Sequence, residues 1–250
     1  MTDGVEFPDD PGAFAADRPE AVAGVGSERD PVYAVGIGPG TPEYLTRRGE
    51  RAIREADVVV GFETVVGFVA DGITGETLTC GYDDEPAVLA AFADRVRAGE
   101  SGTAVLMGDP NHSGYQFVGK VESAVDAPVR VIPGISSLQI AASRARTPME
   151  ETTFVTLHKS GPIESDLDRL ERDVGDRHLL VLPRPFDWMP ERIAGRLLES
   201  GASDHEALVC ERLTHDDEAI THTSLSELAA DVDSREGTAF SDLSVLVVRR

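Results

Sequence analysis

Short, unbroken apolar runs alternate with amphipathic stretches from Val32 onward, and this alternation limits the fold more than any other feature. Ala56-Asp-Val-Val-Val-Gly61 and Thr103-Ala-Val-Leu-Met107 hold apolar residues in succession, not at every second position. Strands read this way when helices cover both faces of a mainly parallel sheet. The expected fold class is therefore α/β.

The pattern predicts strands at 33–37, 56–61, 78–80, 103–107 and 129–132, with helices over 47–55, 86–98, 114–124 and 136–144. Around Thr147-Pro148-Met149-Glu150 it starts again. Strands are expected at 154–157, 178–182, 207–210, 219–222 and 244–248, and helices at 164–172, 190–199 and 224–230. We expect two α/β lobes, 32–147 and 148–250, with mainly parallel or mixed sheets and a cleft between them. Residues 1–31 are rich in Asp, Glu, Gly, Ala and Pro, and read as a disordered acidic tail.

The stretch Tyr33-Ala-Val-Gly-Ile-Gly-Pro-Gly-Thr-Pro-Glu-Tyr-Leu-Thr46 joins the first strand to the first helix. Its glycines allow positive φ and close backbone approach. Thr41 is expected to cap a helix opening at Pro42. A dinucleotide fingerprint is approached but not met: Thr41 stands at the third glycine, and Pro39 removes an N–H that a pyrophosphate would use. Glu63 is placed to act as the ribose acid, so a nicotinamide-binding oxidoreductase remains an alternative. A plain tight turn is another.

The net charge of −22 argues against nucleic acid as the main ligand. Lys120 and Lys159 are the only lysines, and arginine carries almost all the positive charge. An acidic, lysine-poor surface suits high salt, where screening mutes self-repulsion. Cys80 and Cys210 make neither a disulfide framework nor a metal pair. His178, His205, His215 and His222 show no metal-ligand spacing, so no protein-bound metal is expected. No apolar run is long enough to span a bilayer, and the acidic start is unlike a signal peptide, which points to the cytoplasm.

Ligands of open α/β sheets bind beyond the carboxyl ends of the strands. Gly38–Thr41, Met107-Gly-Asp-Pro-Asn-His-Ser-Gly114 and Pro133-Gly-Ile-Ser-Ser137 are the loops at those ends in the first lobe. Asp109 either bonds a ligand or closes an Asx turn, and Ser136 either faces a ligand or caps the next helix. The second lobe offers His158-Lys-Ser-Gly161, Pro183-Arg-Pro185 and Glu211-Arg-Leu-Thr214.

Val35-Gly-Ile-Gly-Pro-Gly40 with Pro42-Glu-Tyr-Leu-Thr46, Ala56–Gly61, Gly108-Asp-Pro110 and Pro133-Gly-Ile-Ser-Ser137 together resemble the tetrapyrrole methylase family. The resemblance runs from about Val32 to the last residue. It implies two α/β lobes that hold S-adenosylmethionine between them, and a homodimer. Ser136-Ser-Leu-Gln139 with Ala141 and Ala142, Val155-Thr-Leu-His158 and Phe240-Ser-Asp-Leu-Ser-Val-Leu-Val247 resemble the branch that methylates C5 of a cobalt-precorrin in cobalamin synthesis. The chain departs from that branch at Asn111-His112-Ser113, where an aromatic is common, and at Ser244, where Asn is common. Because it stops soon after that last motif, the second methyltransferase domain fused in some relatives is not expected.

The resemblance places Pro39, Met107, Gly108, Asp109, His112, Ser136, Ser137, Leu182 and Leu213 around the methyl donor. The implied acceptor is an anionic tetrapyrrole. Arg144, Arg146, Lys159 and Arg184, with Arg47 and Arg212, are candidates to pair with its carboxylates. Methyl transfer needs alignment and no protein nucleophile. His158 and Glu211 are candidates for a base, although each also reads as a residue that orders its own loop. Alternatives are a same-fold enzyme acting on a diphthamide precursor or ribosomal RNA, and a non-catalytic relative that keeps the pocket.

Overall fold

The alternating pattern resolves into two five-stranded sheets, each in its own compact unit. The computed structural model describes residues 30–112, 114–232 and 237–250, so the acidic tail lies outside the described residues as far as residue 29.

The first unit ends at Ser136. It runs β1 (Val32–Gly36), α1 (Arg47–Arg54), β2 (Val58–Phe62), α2 (Glu63–Val69), β3 (Glu76–Cys80), α3 (Glu85–Arg97), β4 (Gly102–Leu106), α4 (Tyr115–Ala124) and β5 (Val129–Ile132). The strand order is β3-β2-β4-β1-β5, every pair parallel. Successive side chains of a strand point to opposite faces, and here both faces are dry. Ala34, Val58, Val60 and Ala104 pack with Leu89 and Phe92 of α3 and Val121 of α4. Val35, Val59 and Val105 pack with Ile53 of α1 and Val65, Val66 and Val69 of α2. The chain thus steps from β1 out to β3 with helices on one face, then returns through β4 to β5 with helices on the other. β1 and β4 are neighbours whose loops leave toward opposite faces, the switch point at which open α/β sheets form a crevice.

Two local expectations are corrected. Pro42–Tyr44 is a single 3-10 turn, and the Thr41 side chain caps nothing. Leu45 is extended and breaks that turn. α1 starts at Arg47, where Thr46 Oγ1 accepts the Gly49 N–H at 3.1 Å. Helix α2 was not foreseen, because three β-branched valines and Gly67 in so short a stretch weaken its helical signal.

The second unit, Ser137–Arg250, contains α5 (Ser137–Ala145), β6 (Thr152–Thr156), α6 (Glu164–Asp173), β7 (His178–Leu182), α7 (Pro190–Glu199), β8 (Glu206–Glu211), β9 (Ala219–Ser224), α8 (Leu225–Val232) and β10 (Ser244–Val248). Its sheet is mixed, in the order β6-β7-β10-β8-β9, with β6 and β7 parallel and β10 antiparallel to both of its neighbours. Leu167, Leu170, Ile193, Leu197, Leu225 and Leu228 of α6, α7 and α8 cover one face. Helix α5, read above with the first lobe, packs instead against β7 and β10.

Candidate functional site

In the first unit the loops leaving β1, β4 and β5 meet backbone to backbone. Gly38 and Gly108 exchange hydrogen bonds: Gly108 N–H donates to the Gly38 carbonyl at 2.8 Å, and Gly38 N–H to the Gly108 carbonyl at 3.2 Å. A Cβ on Gly36 would lie 2.6 Å from the Gly108 oxygen, the Gly134 nitrogen and the Pro110 Cδ. One on Gly134 would lie 2.1 Å from the Gly108 oxygen. These two glycines are structural, since they let three loops touch where no side chain fits. Gly108 differs. Its φ is +65°, and among the described residues a Cβ there meets only Ser136 Cα, at 3.8 Å. With respect to those residues one side of this loop is open, bordered by glycine backbone at the carboxyl edge of the sheet. That suits a ligand recognised through main-chain groups and shape.

The neighbours hold this edge in place. Pro39 and Ser136 are buried, while Met107, Asp109 and His112 are half-buried. Asp109 closes an Asx turn: its Oδ1 accepts the Asn111 backbone N–H at 3.0 Å and the Asn111 amide at 2.7 Å. Its carbonyl accepts the His112 N–H at 2.9 Å. Of the two roles considered for Asp109, the structure displays loop pinning. Glu63 is the exposed first residue of α2.

Within the second unit, Ser137 opens α5 and Leu182 ends β7. Leu213 is buried between two residues of positive φ, Arg212 at +45° and Thr214 at +74°. Glu218 accepts the Thr214 N–H at 2.8 Å and takes a two-pronged bond from Arg144, at 2.7 and 3.2 Å. Hydrogen bonding from Arg144 holds the Glu218 carboxyl below the usual carboxylate range against the opposing effect of burial.

The cations expected to line an anionic acceptor are mostly engaged with acids of their own unit. Arg144 is paired with Glu218, Arg184 with Asp187 and Lys159 with Asp166. Arg212 is paired with Asp217. Arg146 is exposed, with φ +54°. Of the two candidate bases, Glu211 accepts the Ser241 N–H at 2.8 Å and so orders the segment before β10. His158 is exposed at one edge, but the protein around its other sides displaces water and lowers its pKa. Asp242 and a hydrogen bond to the Pro183 carbonyl act in the opposite direction. Cys80 and Cys210 are buried thiols, each pushed up to about 11, chiefly by burial. Among the described residues, no three of His, Cys, Asp and Glu converge as metal ligands.

Sequence reasoning missed the contacts at Gly36 and Gly134, because they depend on β5, β1 and β4 lying side by side. It also passed over the short hairpin Arg184–Trp188, whose ends bridge in antiparallel fashion. The Pro-Phe-Asp turn residues at 185–187 were the available signal.

Residues 31–229 match the family model of the tetrapyrrole (corrin/porphyrin) methylases. The chain belongs to that family, and it is a methyltransferase by that membership. It is 31% identical over 201 residues to a protein of Methanocaldococcus jannaschii described as a probable cobalt-precorrin-7 C(5)-methyltransferase, covering 79% of this chain and 91% of that one. It is 25% identical over 210 residues to the cobalt-precorrin-4 C(11)-methyltransferase of Priestia megaterium, covering 79% and 80%. Among solved structures, the uroporphyrin-III C-methyl transferase of Thermus thermophilus, in complex with S-adenyl homocysteine, superposes with a TM-score of 0.67 at 25% identity, covering 88% of this chain and 92% of that one.

Proposed function

We propose that this chain transfers a methyl group from S-adenosylmethionine to C5 of a cobalt-precorrin, converting cobalt-precorrin-6B to cobalt-precorrin-7 in cobalamin synthesis. The observation that carries the position is the near full-length similarity to the Methanocaldococcus jannaschii protein named for C5. The Priestia megaterium relative named for C11 makes that position the competing reading.

The donor supplies an electrophilic methyl on a sulfonium. The open side of the Gly108 loop, with Pro39, Met107, His112 and Ser136 near it in the chain and the fold, is where this reading puts the donor. Asp109 acts by fixing the loop. No protein nucleophile is called for, so the chain's contribution is to hold donor and acceptor carbons roughly 3–3.5 Å apart and aligned. His158 is the candidate to accept a proton released from the acceptor, because its lowered pKa keeps the imidazole neutral near pH 7. Arg146 is the candidate cation for a substrate carboxylate.

The acidic, lysine-poor composition supports a high-salt cytoplasm as the setting, and the family resemblance supports a homodimer. The test is incubation with methyl-labelled S-adenosylmethionine and cobalt-precorrin-6B, followed by NMR of the product. Label at C5 supports the reading. Label at C11 or another carbon replaces it.

A further inference from the structure

Phe186 combines two unfavourable features. Its φ is +75°, in the left-handed region where a bulky side chain is an outlier. The residue is 96% exposed, so no burial offsets the strain. Such a residue persists only where its surroundings over-determine it, and strained positions of this kind cluster at ligand-binding sites.

The surroundings here are rigid. Arg184 and Trp188 exchange both backbone hydrogen bonds, at 3.1 and 3.0 Å. The Asp187 carboxylate receives Arg184 Nε at 2.8 Å and Nη2 at 2.6 Å. Arg184 Nη1 also donates to the Gly161 carbonyl at 3.2 Å, tying the hairpin to the loop after β6. From α7, Arg192 donates to the Asp187 carbonyl at 2.9 Å and lies 4.6 Å over the Trp188 ring. A phenyl ring is thus held out into water from a fixed base just beyond the carboxyl end of β7. Asp187 and Glu164 both act on Arg184, whereas Arg192 is held by a backbone carbonyl and the Trp188 ring and by no salt bridge to a carboxylate among the described residues.

An exposed aromatic ring on a hairpin whose base also holds Arg192 suits a flat, apolar ring system that carries carboxylates. We infer that Phe186 contacts the acceptor, its ring stacking on the tetrapyrrole face while Arg192 meets a peripheral carboxylate. This rests on the tetrapyrrole acceptor proposed above. A protein partner fits less well. A stable interface buries about 800 Å² on each side, whereas one aromatic side chain supplies only about 150–250 Å², and the neighbours of Phe186 are charged.

The test is Phe186→Gly, which removes the ring and also relieves the positive φ. The variant should melt at a higher temperature than the parent and bind S-adenosylhomocysteine unchanged. Its kcat/KM for the cobalt-precorrin should fall roughly five- to tenfold, a loss carried by KM, and Phe186→Trp should restore it. An unchanged KM in Phe186→Gly overturns the inference. So does conversion of a dimer to a monomer with KM preserved, which assigns the ring to a partner copy. If the parent protein binds S-adenosylhomocysteine but methylates no tetrapyrrole, the proposed function falls and this inference with it.

Discussion

Replacing Gly108 by alanine separates the donor site from the fold, because this glycine is required by its φ and not by crowding. At +65° an L-residue is strained by about 1–2 kcal/mol, more than reduced freedom in the unfolded chain returns. Among the described residues the new methyl meets only Ser136 Cα, at 3.8 Å, an ordinary contact. The net loss of stability is therefore about 1–2 kcal/mol, on the order of 2–8 °C in Tm for a chain of this size, and the protein stays folded. Donor affinity should fall beyond that. Overpacking a fitted site by one methyl costs about 1–3 kcal/mol, equivalent to roughly 5- to 150-fold in Kd. Gly36→Ala is the contrasting variant. Its Cβ runs into three atoms at 2.6 Å, two of them backbone, so it should lose about 3 kcal/mol or more of stability before any question of ligand arises. The assay is isothermal calorimetry with S-adenosylhomocysteine beside a thermal melt of each variant. If Gly108→Ala melts normally and binds with the parent's affinity, the reasoning that puts the donor at this loop is refuted.

Three further outcomes follow from other parts of the chain. Lys120→Met leaves the nearly buried Glu85 carboxylate without its 2.5 Å partner, and should cost about 2–3 kcal/mol in urea unfolding, recovered in part by adding Glu85→Gln. His178 is lowered below its usual 6.5, first by burial and then by Arg250 and Arg249, and its Nδ1 accepts the Arg250 N–H at 3.2 Å. The unfolded chain therefore takes up that proton first, so the contribution is complete above about pH 6.5 and is lost as pH falls toward the folded value; His178→Gln should flatten this part of the stability profile. The net charge of −22 predicts a Tm that rises from dilute buffer to molar salt, as the Debye length shrinks from about 30 Å to about 3 Å, and a Tm that falls with salt would sink the high-salt reading of the surface.

How much was legible follows from which interactions are local. In the first unit, strands buried on both faces announce themselves as unbroken apolar runs, and β1, β2, β4 and β5 were all anticipated to within two residues or so. The three loops at their carboxyl ends were picked out for the same reason. The division of labour among the glycines was not visible. Gly36 ends β1, Gly108 and Gly134 lie on the loops after β4 and β5, and only the order β4-β1-β5 decides which is crowded and which is open. Thr41 and Thr46 are both of a type that caps helices, but only the Thr46 side chain accepts a backbone N–H, and the extended Leu45 separates the two turns.

In the second unit the elements were legible and their partners were not. β10 is the last strand in sequence but lies between β7 and β8, antiparallel to both, an arrangement that no local signal encodes. The same gap explains the arginines. Proximity to strand ends made Arg144 and Arg184 look available for substrate, yet acids outnumber Lys and Arg by 45 to 23, so most cations can find an internal partner. Arg144 finds Glu218, 74 residues away, and the pair holds the loop that buries Leu213. Arg184 finds Asp187 three residues on and braces the hairpin that exposes Phe186. Both arginines thus brace backbone within their own unit, at the loop that carries Leu213 and at the hairpin that carries Phe186. A substitution at either should therefore alter ligand affinity by loosening a loop, and Lys in place of Arg should rescue little, because an ammonium cannot reproduce the two-pronged bond.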